Sequence, residues 1–189
     1  VISDNTLENE FVKLRAPEPS DLDLLYSWEN NQEIWRVSNT ITPFSRFVLK
    51  RYIETAHRDI WESKQLRLII EAKTQSSLMF VPIGLIDLFD FDPFHNRAGI
   101  GILIAGHEHR KHGYATESLQ LVKRYAFETL QLHQLYCGIA SDNAISLKLF
   151  QSNGFEAVGI KRDWLRTSAG WTDEVMLQAI NPRRMNLNN

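Results

Sequence analysis

Arg110, Lys111, Gly113 and Ala115 fall within the run IGILIAGHEHRKHGYATES (Ile100–Ser118), where an apolar stretch gives way to a polar, His-rich stretch and then to a helical pattern. Residue types in that order suit the binding of an anion. A strand that delivers a loop and a helix N-terminus brings backbone N–H groups together, and the helix dipole favours negative charge there. Gly113 allows the backbone to approach a pyrophosphate closely, small Ala115 keeps the helix entry uncrowded, and Arg110 and Lys111 add cationic charge. His107, His109 and His112 lie in the same stretch, but a helical zinc motif needs two His four apart, and here position 111 is Lys. They read as a solvated loop, and no metal is assigned. A Walker A loop fails for want of Gly-Lys-Ser/Thr, and a dinucleotide fingerprint fails because only one of its three glycines is present. A phosphate cradle or a plain strand-to-helix connection remains.

The elements that must position this loop read as follows. Glu10–Arg15 alternates as a first strand. Ser20 is the expected N-cap of a helix carrying Leu22, Leu25, Tyr26 and Trp28, with a short second helix reaching Trp35. Pro43-Phe44-Ser45 opens another helix, expected to run to Trp61. Leu66–Ala72, Phe80–Phe91 and Ala98–Ala105 read as strands, the second marked by Pro82 and Gly84 as an edge or bulge. Lys73–Leu78 reads as the polar turn between the first two. Then come a helix over Thr116–Leu130, a strand over Gln134–Ala140, a helix over Asn143–Ser152 closed by Asn153-Gly154, and a hairpin of Phe155–Leu165 and Trp171–Ile180. The order predicts an α+β (mixed α/β) fold with a mixed, mostly antiparallel central sheet flanked by helices. No repeat or linker interrupts it, so residues 1–189 read as a single domain with its core over 10–180.

Composition narrows the function. The chain has 189 residues, 43% of them apolar, and a net charge of −2, which leaves no broad basic field for nucleic acid. Cys137, the one cysteine, lies in the apolar run LYCGIA and reads as a small core residue. No run is long enough to span a membrane, and the opening VISDNTLENE is too acidic for a secretory leader. A cytoplasmic setting is expected.

Together the strand, the Arg-x-x-Gly-x-Ala loop and the helix resemble motif A of the GNAT family of N-acetyltransferases. Asn143-Ala-Ile-Ser146, followed by Gly154-Phe155, resembles that family's Asn-x-x-Ser/Ala…Gly-Phe segment. The closing hairpin, with Gly170 and Asp173, resembles its end. At the front, Arg15, Trp28, Asn30 and Pro43-Phe44-Ser45 look like the first strand and acceptor-side helices of two branches, the spermidine N-acetyltransferases and the N-acetyltransferases of ribosomal-protein N-termini.

The resemblance implies acetyl-CoA as co-substrate. Leu103, Ile104 and Ala105 would hold the pantetheine arm with backbone groups on a strand splayed from the next. Arg110, Lys111, His112, Gly113, Tyr114, Ala115 and Thr116 would hold the diphosphate. Asn143 and Phe150 would reach the cofactor arm. It also implies two departures. Many members carry a proton-donating Tyr at the position of Phe150 and a Glu base at the position of Gly99, and neither residue here can transfer a proton. Asn143 and Asp87 are therefore the catalytic candidates, with Asp90, Asp92 and His95 nearby. Trp28, Glu29, Glu33 and Trp35 are expected to line the acceptor pocket. The acceptor implied is a small-molecule primary amine, for which acidic groups suit a polyamine such as spermidine. A protein or peptide N-terminus is the alternative acceptor, and a CoA-binding module with little transfer is the alternative class. Neither a nucleic acid nor a membrane partner is expected, and a homo-oligomer is among the partners considered.

Overall fold

The computed structural model describes residues 6–38, 41–74 and 77–185. In chain order they form β1 (Val12–Arg15), α1 (Leu22–Glu29), α2 (Gln32–Ser38), α3 (Arg46–Thr55), α4 (Ile60–Ser63), β2 (Leu66–Thr74), β3 (Ser77–Asp92) and β4 (Arg97–Ile104). There follow α5 (Tyr114–Arg124), β5 (Gln134–Ala140), α6 (Ala144–Ser152), β6 (Glu156–Thr167), β7 (Gly170–Ile180) and α7 (Pro182–Met185). The strands make one sheet in the order β1-β2-β3-β4-β5-β7-β6. Every pairing is antiparallel except β4–β5, so the expected mixed, mostly antiparallel sheet is found.

Alternation along the strands divides the apolar side chains between two faces. Leu68, Ile70, Ile86, Leu88, Ile100, Leu135, Cys137 and Leu177 point to one face and meet Leu119, Val122 and Ala126 of the α5 region and Phe150 of α6. Ile69 and Leu85 point to the other and meet Leu25, Leu49 and Ile53 of α1 and α3. This second face is roofed only over β2 and β3. Its continuation over β4, β5 and β7 carries Gly99, covered by the Phe89 ring, and the more open Gly101, Tyr136 and Gly138, and this strip is where a site can form.

Local chemistry sets several boundaries. Ser45 caps α3 by accepting the Val48 N–H at 3.2 Å. The expected single helix to Trp61 is broken, because Asp59 caps a new turn at Glu62 N, 2.9 Å, after the chain folds over residues 56–58. The expected N-cap Ser20 is displaced, since α1 begins at Leu22 with Asp21 at its N-cap position. A tight turn spans Pro19–Asp21, and the Asp21 carboxylate accepts the Glu18 N–H at 2.7 Å. The helix after α5 continues as a π-turn, Tyr125–Thr129, in place of regular helix to Leu130. Pro82 marks a bulge in an interior strand: the β2–β3 register slips between Ile70 and Glu71, and Pro82 stands beyond the end of β4. The expected Lys73–Leu78 turn is shorter, since Thr74 already pairs with Ser77. Positions 75 and 76 lie outside the described residues, as do residues 1–5 of the polar opening. Among the described residues no helix is long and apolar enough to cross a membrane.

Candidate functional site

β4 and β5 pair over three residues only, Arg97 with Gln134, Ala98 with Leu135 and Gly99 with Tyr136. Beyond Gly99, β4 continues against β3 as far as Ile104, and β5 continues against β7 as far as Ala140. The two parallel strands therefore diverge, and backbone groups on their facing edges lose their ladder partners.

Hydrogen-bond alternation identifies those groups. Ala105 N–H donates to Ile83 O at 2.9 Å, which makes 105 and 83 a bonded pair, and the antiparallel pattern then directs residues 103 and 101 toward β3 as well. Ile102 and Ile104 face the gap. Of the expected Leu103, Ile104 and Ala105, only Ile104 presents its backbone to the opening, because the other two are spent on β3. Ile102 takes their place. The sequence signal for it was the strand period of two, but the phase is set by the Ile83–Ala105 bond.

At the end of β4 the chain makes a turn over His107–His109 and enters α5. Gly113 is the N-cap of α5 and has φ +86°, a left-handed conformation that favours glycine, with no atom within 4 Å of a would-be Cβ. Lys111 is also left-handed, at φ 65°. The N–H groups of Tyr114, Ala115 and Thr116 open an eleven-residue helix, while the exposed Arg110, Lys111 and His112 surround its start. Arg110 reaches back to Ile104 O, with Nη2 at 3.3 Å, and donates to His107 Nδ1 at 3.0 Å. Since that nitrogen accepts, the proton of His107 sits on Nε2, which meets Glu33 of α2 at 3.0 Å. The loop is thus joined to a front helix. Tyr114 contributes backbone only, for its ring is buried and its hydroxyl donates to Lys73 O at 2.9 Å.

Asn143 begins α6 across the gap. Its Oδ1 accepts the Ser146 N–H at 3.1 Å, a helix cap, which leaves the Nδ2 end to serve a ligand. Phe150 is 3% exposed, belongs to the main core, and packs edge-on against Phe155 at 5.0 Å. Its expected place beside a cofactor arm is therefore a buried one. Gly99 is occupied by a neighbour, with Phe89 Cζ at 2.6 Å from a would-be Cβ.

On the front side, Asp87 is not a free carboxylate. Both oxygens accept from Arg67, at 2.8 and 3.0 Å, and Arg67 also pairs with Glu29 and lies over the Tyr52 ring. Burial disfavours the Arg67 charge, but Asp87 and Glu29 outweigh it and hold the guanidinium charged. Both Asp87 oxygens are thus held by a guanidinium, which places the carboxylate within an ion-pair cluster. Asp92 is tied up too. Hydrogen bonds from the His95 backbone and ring hold its carboxyl down, at about 2. Trp28 packs as a partly buried wall against the α1–α3 cluster, and Trp35 donates its indole N–H to Glu29 O.

Arg67 and Glu174 are charged residues of this face that sequence reasoning missed. Glu174 lies on β7 with its carboxylate over Gly138 and its Oε2 2.7 Å from Lys161 Nζ. Gly138 in mid-strand was the only sequence signal for it. Cys137 on the opposite face is inert: burial, with the Glu174 charge, pushes its thiol up to about 12.

Comparison with known proteins gives this geometry a context. The family model described as an acetyltransferase (GNAT) domain matches residues 12–156. A spermidine N(1)-acetyltransferase of Vibrio cholerae is 29% identical over 154 residues, 80% of this chain and 82% of that protein. An uncharacterized N-acetyltransferase, p20, of Bacillus licheniformis is 28% identical over 176 residues, 93% of this chain and 96% of that protein. Among solved structures, spermidine N-acetyltransferase from V. cholerae in complex with CoA and spermine superposes with a TM-score of 0.81 at 24% identity, covering 94% of this chain and 100% of that one.

Proposed function

The chain belongs to the GNAT acetyltransferases, enzymes that use acetyl-CoA, and from that premise we propose that its acceptor is a primary amine of a polyamine such as spermidine. One observation carries this reading. On the acceptor side Glu29 and Asp87 both close on the single cation Arg67, leaving the cluster one negative charge in excess, and Glu33 stands at the neighbouring helix start. A cationic acceptor is drawn to such a wall. A sequence relative and a structural neighbour are both named spermidine N-acetyltransferases, which agrees with it.

The residues present fit acetyl-CoA. In this proposal the α5 N-terminus from Gly113 to Thr116, with Arg110 and Lys111, holds the diphosphate. The gap-facing backbone of Ile102 and Ile104 and the amide end of Asn143 hold the arm. Acetyl-CoA supplies an activated thioester. The protein contributes alignment of the amine with it, which is a large part of any rate gain, and amide dipoles for the developing oxyanion. Assembly belongs to the same reading. β6 is exposed along its length, with Val158, Ile160 and Trp164 open, and a V. cholerae relative is described as dodecameric, so light scattering should find a homo-oligomer.

The test is thiol release from acetyl-CoA against polyamines, amino acids, aminoglycosides and ribosomal N-terminal peptides. Spermidine turning over at least tenfold better than the peptides supports the proposal. The reverse order assigns N-terminal acetylation, and CoA binding with no turnover assigns a binding module.

A further inference from the structure

Glu174 projects from β7 across the uncovered face of β5, and its carboxylate stands where a side chain at position 138 would begin. From a would-be Cβ on Gly138 the carboxyl carbon lies 2.6 Å away and the oxygens 2.7 and 2.9 Å. Any side chain there would displace it. Gly138 lies beyond Tyr136, the last β5 residue paired with β4, so the carboxylate hangs beside the opened gap. Register fixes its face. Glu174 pairs with Ala140 and Met176 with Gly138, while the intervening Val175 and Leu177 point into the main core. The residue is 9% exposed.

The charged neighbours are few. Lys161 of β6 takes Oε2. Asp173, next on β7, is committed to Arg162 and to the Asp163 N–H. Cys137 of β5 faces the other side and stays a neutral thiol. Of the other carboxylates on the described part of this face, Asp87 and Glu29 are bound by Arg67 and Glu71 by Arg15.

We propose that Glu174 is the carboxylate that takes the proton from the acceptor ammonium; this rests on the amine acetylation proposed above. An alkylammonium has a pKa of about 10.4, so it arrives charged and has no lone pair to attack with. One proton passes from its nitrogen to Glu174 Oε1, directly or through one water. The freed electron pair forms the C–N bond as the C–S bond breaks, and the bonding pair leaves on sulfur. The second nitrogen proton goes to that sulfur as the nitrogen becomes an amide, and Glu174 returns its proton to water. Lys161 holds the other oxygen, Oε2, in an ion pair. Gly138 is the residue that makes the placement sterically open.

The test is steady-state acetylation of spermidine, or of whichever panel amine turns over, between pH 5 and 10, with CoA affinity measured by calorimetry. Glu174→Gln should lower kcat by about 100-fold or more, a general-base effect, while CoA affinity stays within about threefold. Lys161→Met removes the ion pair that fixes the Glu174 carboxylate, so kcat should fall about tenfold or more while CoA affinity stays within about threefold, a split that a merely structural ion pair would not produce. This second variant decides the matter if Glu174→Gln does not fold. A Glu174→Gln enzyme or a Lys161→Met enzyme with near-normal kcat overturns the assignment alone. A wild-type chain that binds CoA but acetylates no amine overturns the reading beneath it.

Discussion

The ring of Phe89 lies where a side chain on Gly99 would have to go. Its Cζ and Cδ2 are 2.6 and 2.7 Å from the would-be Cβ, and the ring meets Tyr136 edge-on at 6.4 Å. The missing carboxylate at position 99 is therefore a packing solution. Gly99→Glu should cost about 1–3 kcal/mol of stability in urea denaturation, as overpacking does, with no gain in kcat. A faster enzyme would show that Phe89 yields and that position 99 addresses the amine.

Gly113→Val tests the phosphate loop. The site is open, so the cost is confined to forcing a β-branched residue to φ +86°. CoA affinity by calorimetry should fall at least tenfold, with far-ultraviolet circular dichroism unchanged. Unchanged affinity would place the diphosphate elsewhere.

Phe150→Tyr would restore the family's usual proton donor, yet no rise in turnover is expected. The ring is 3% exposed beside Phe155, so a hydroxyl there is buried, at a cost of about 1–3 kcal/mol if it finds no partner. Paired kcat and denaturation measurements check this, and an increased kcat would mean that position 150 does face the leaving sulfur.

Acid should loosen the front of the sheet first. Burial pushes the Asp21 carboxyl up, but hydrogen bonds from Arg15, at 2.7 and 3.0 Å, and from the Glu18 N–H outweigh it and leave it below the usual carboxylate range. A group whose folded value is depressed contributes stability above its unfolded pKa of about 3.9 and loses it as pH falls through the folded value. Asp21→Asn should therefore destabilise the protein by about 1–3 kcal/mol at pH 7, and the gap from wild type should close below about pH 4. A difference between the two melting temperatures that does not change with pH would contradict this.

The elements of the proposed cofactor side were legible because their determinants are local. Gly113 must turn left-handed ahead of a helix, Asn143 and Ser45 cap their own helices, and apolar alternation gives the strands. Each is a property of a few consecutive residues. The front helices were less legible, since Asp59 and the Asp21 turn compete with the expected boundaries by side-chain capping.

What the sequence by itself determined is the order of elements and the strand–loop–helix proposed to receive a diphosphate, because backbone conformation and hydrophobic period are written in neighbouring positions. The tertiary structure alone decided which charges are committed and which face the opening. It gave Asp87 to Arg67, turned Phe150 into the core, set Ile102 and Ile104 toward the gap, and brought Glu174 over Gly138. These outcomes follow from strand register between segments far apart in the chain, where a slip of one residue would send every side chain to the opposite face.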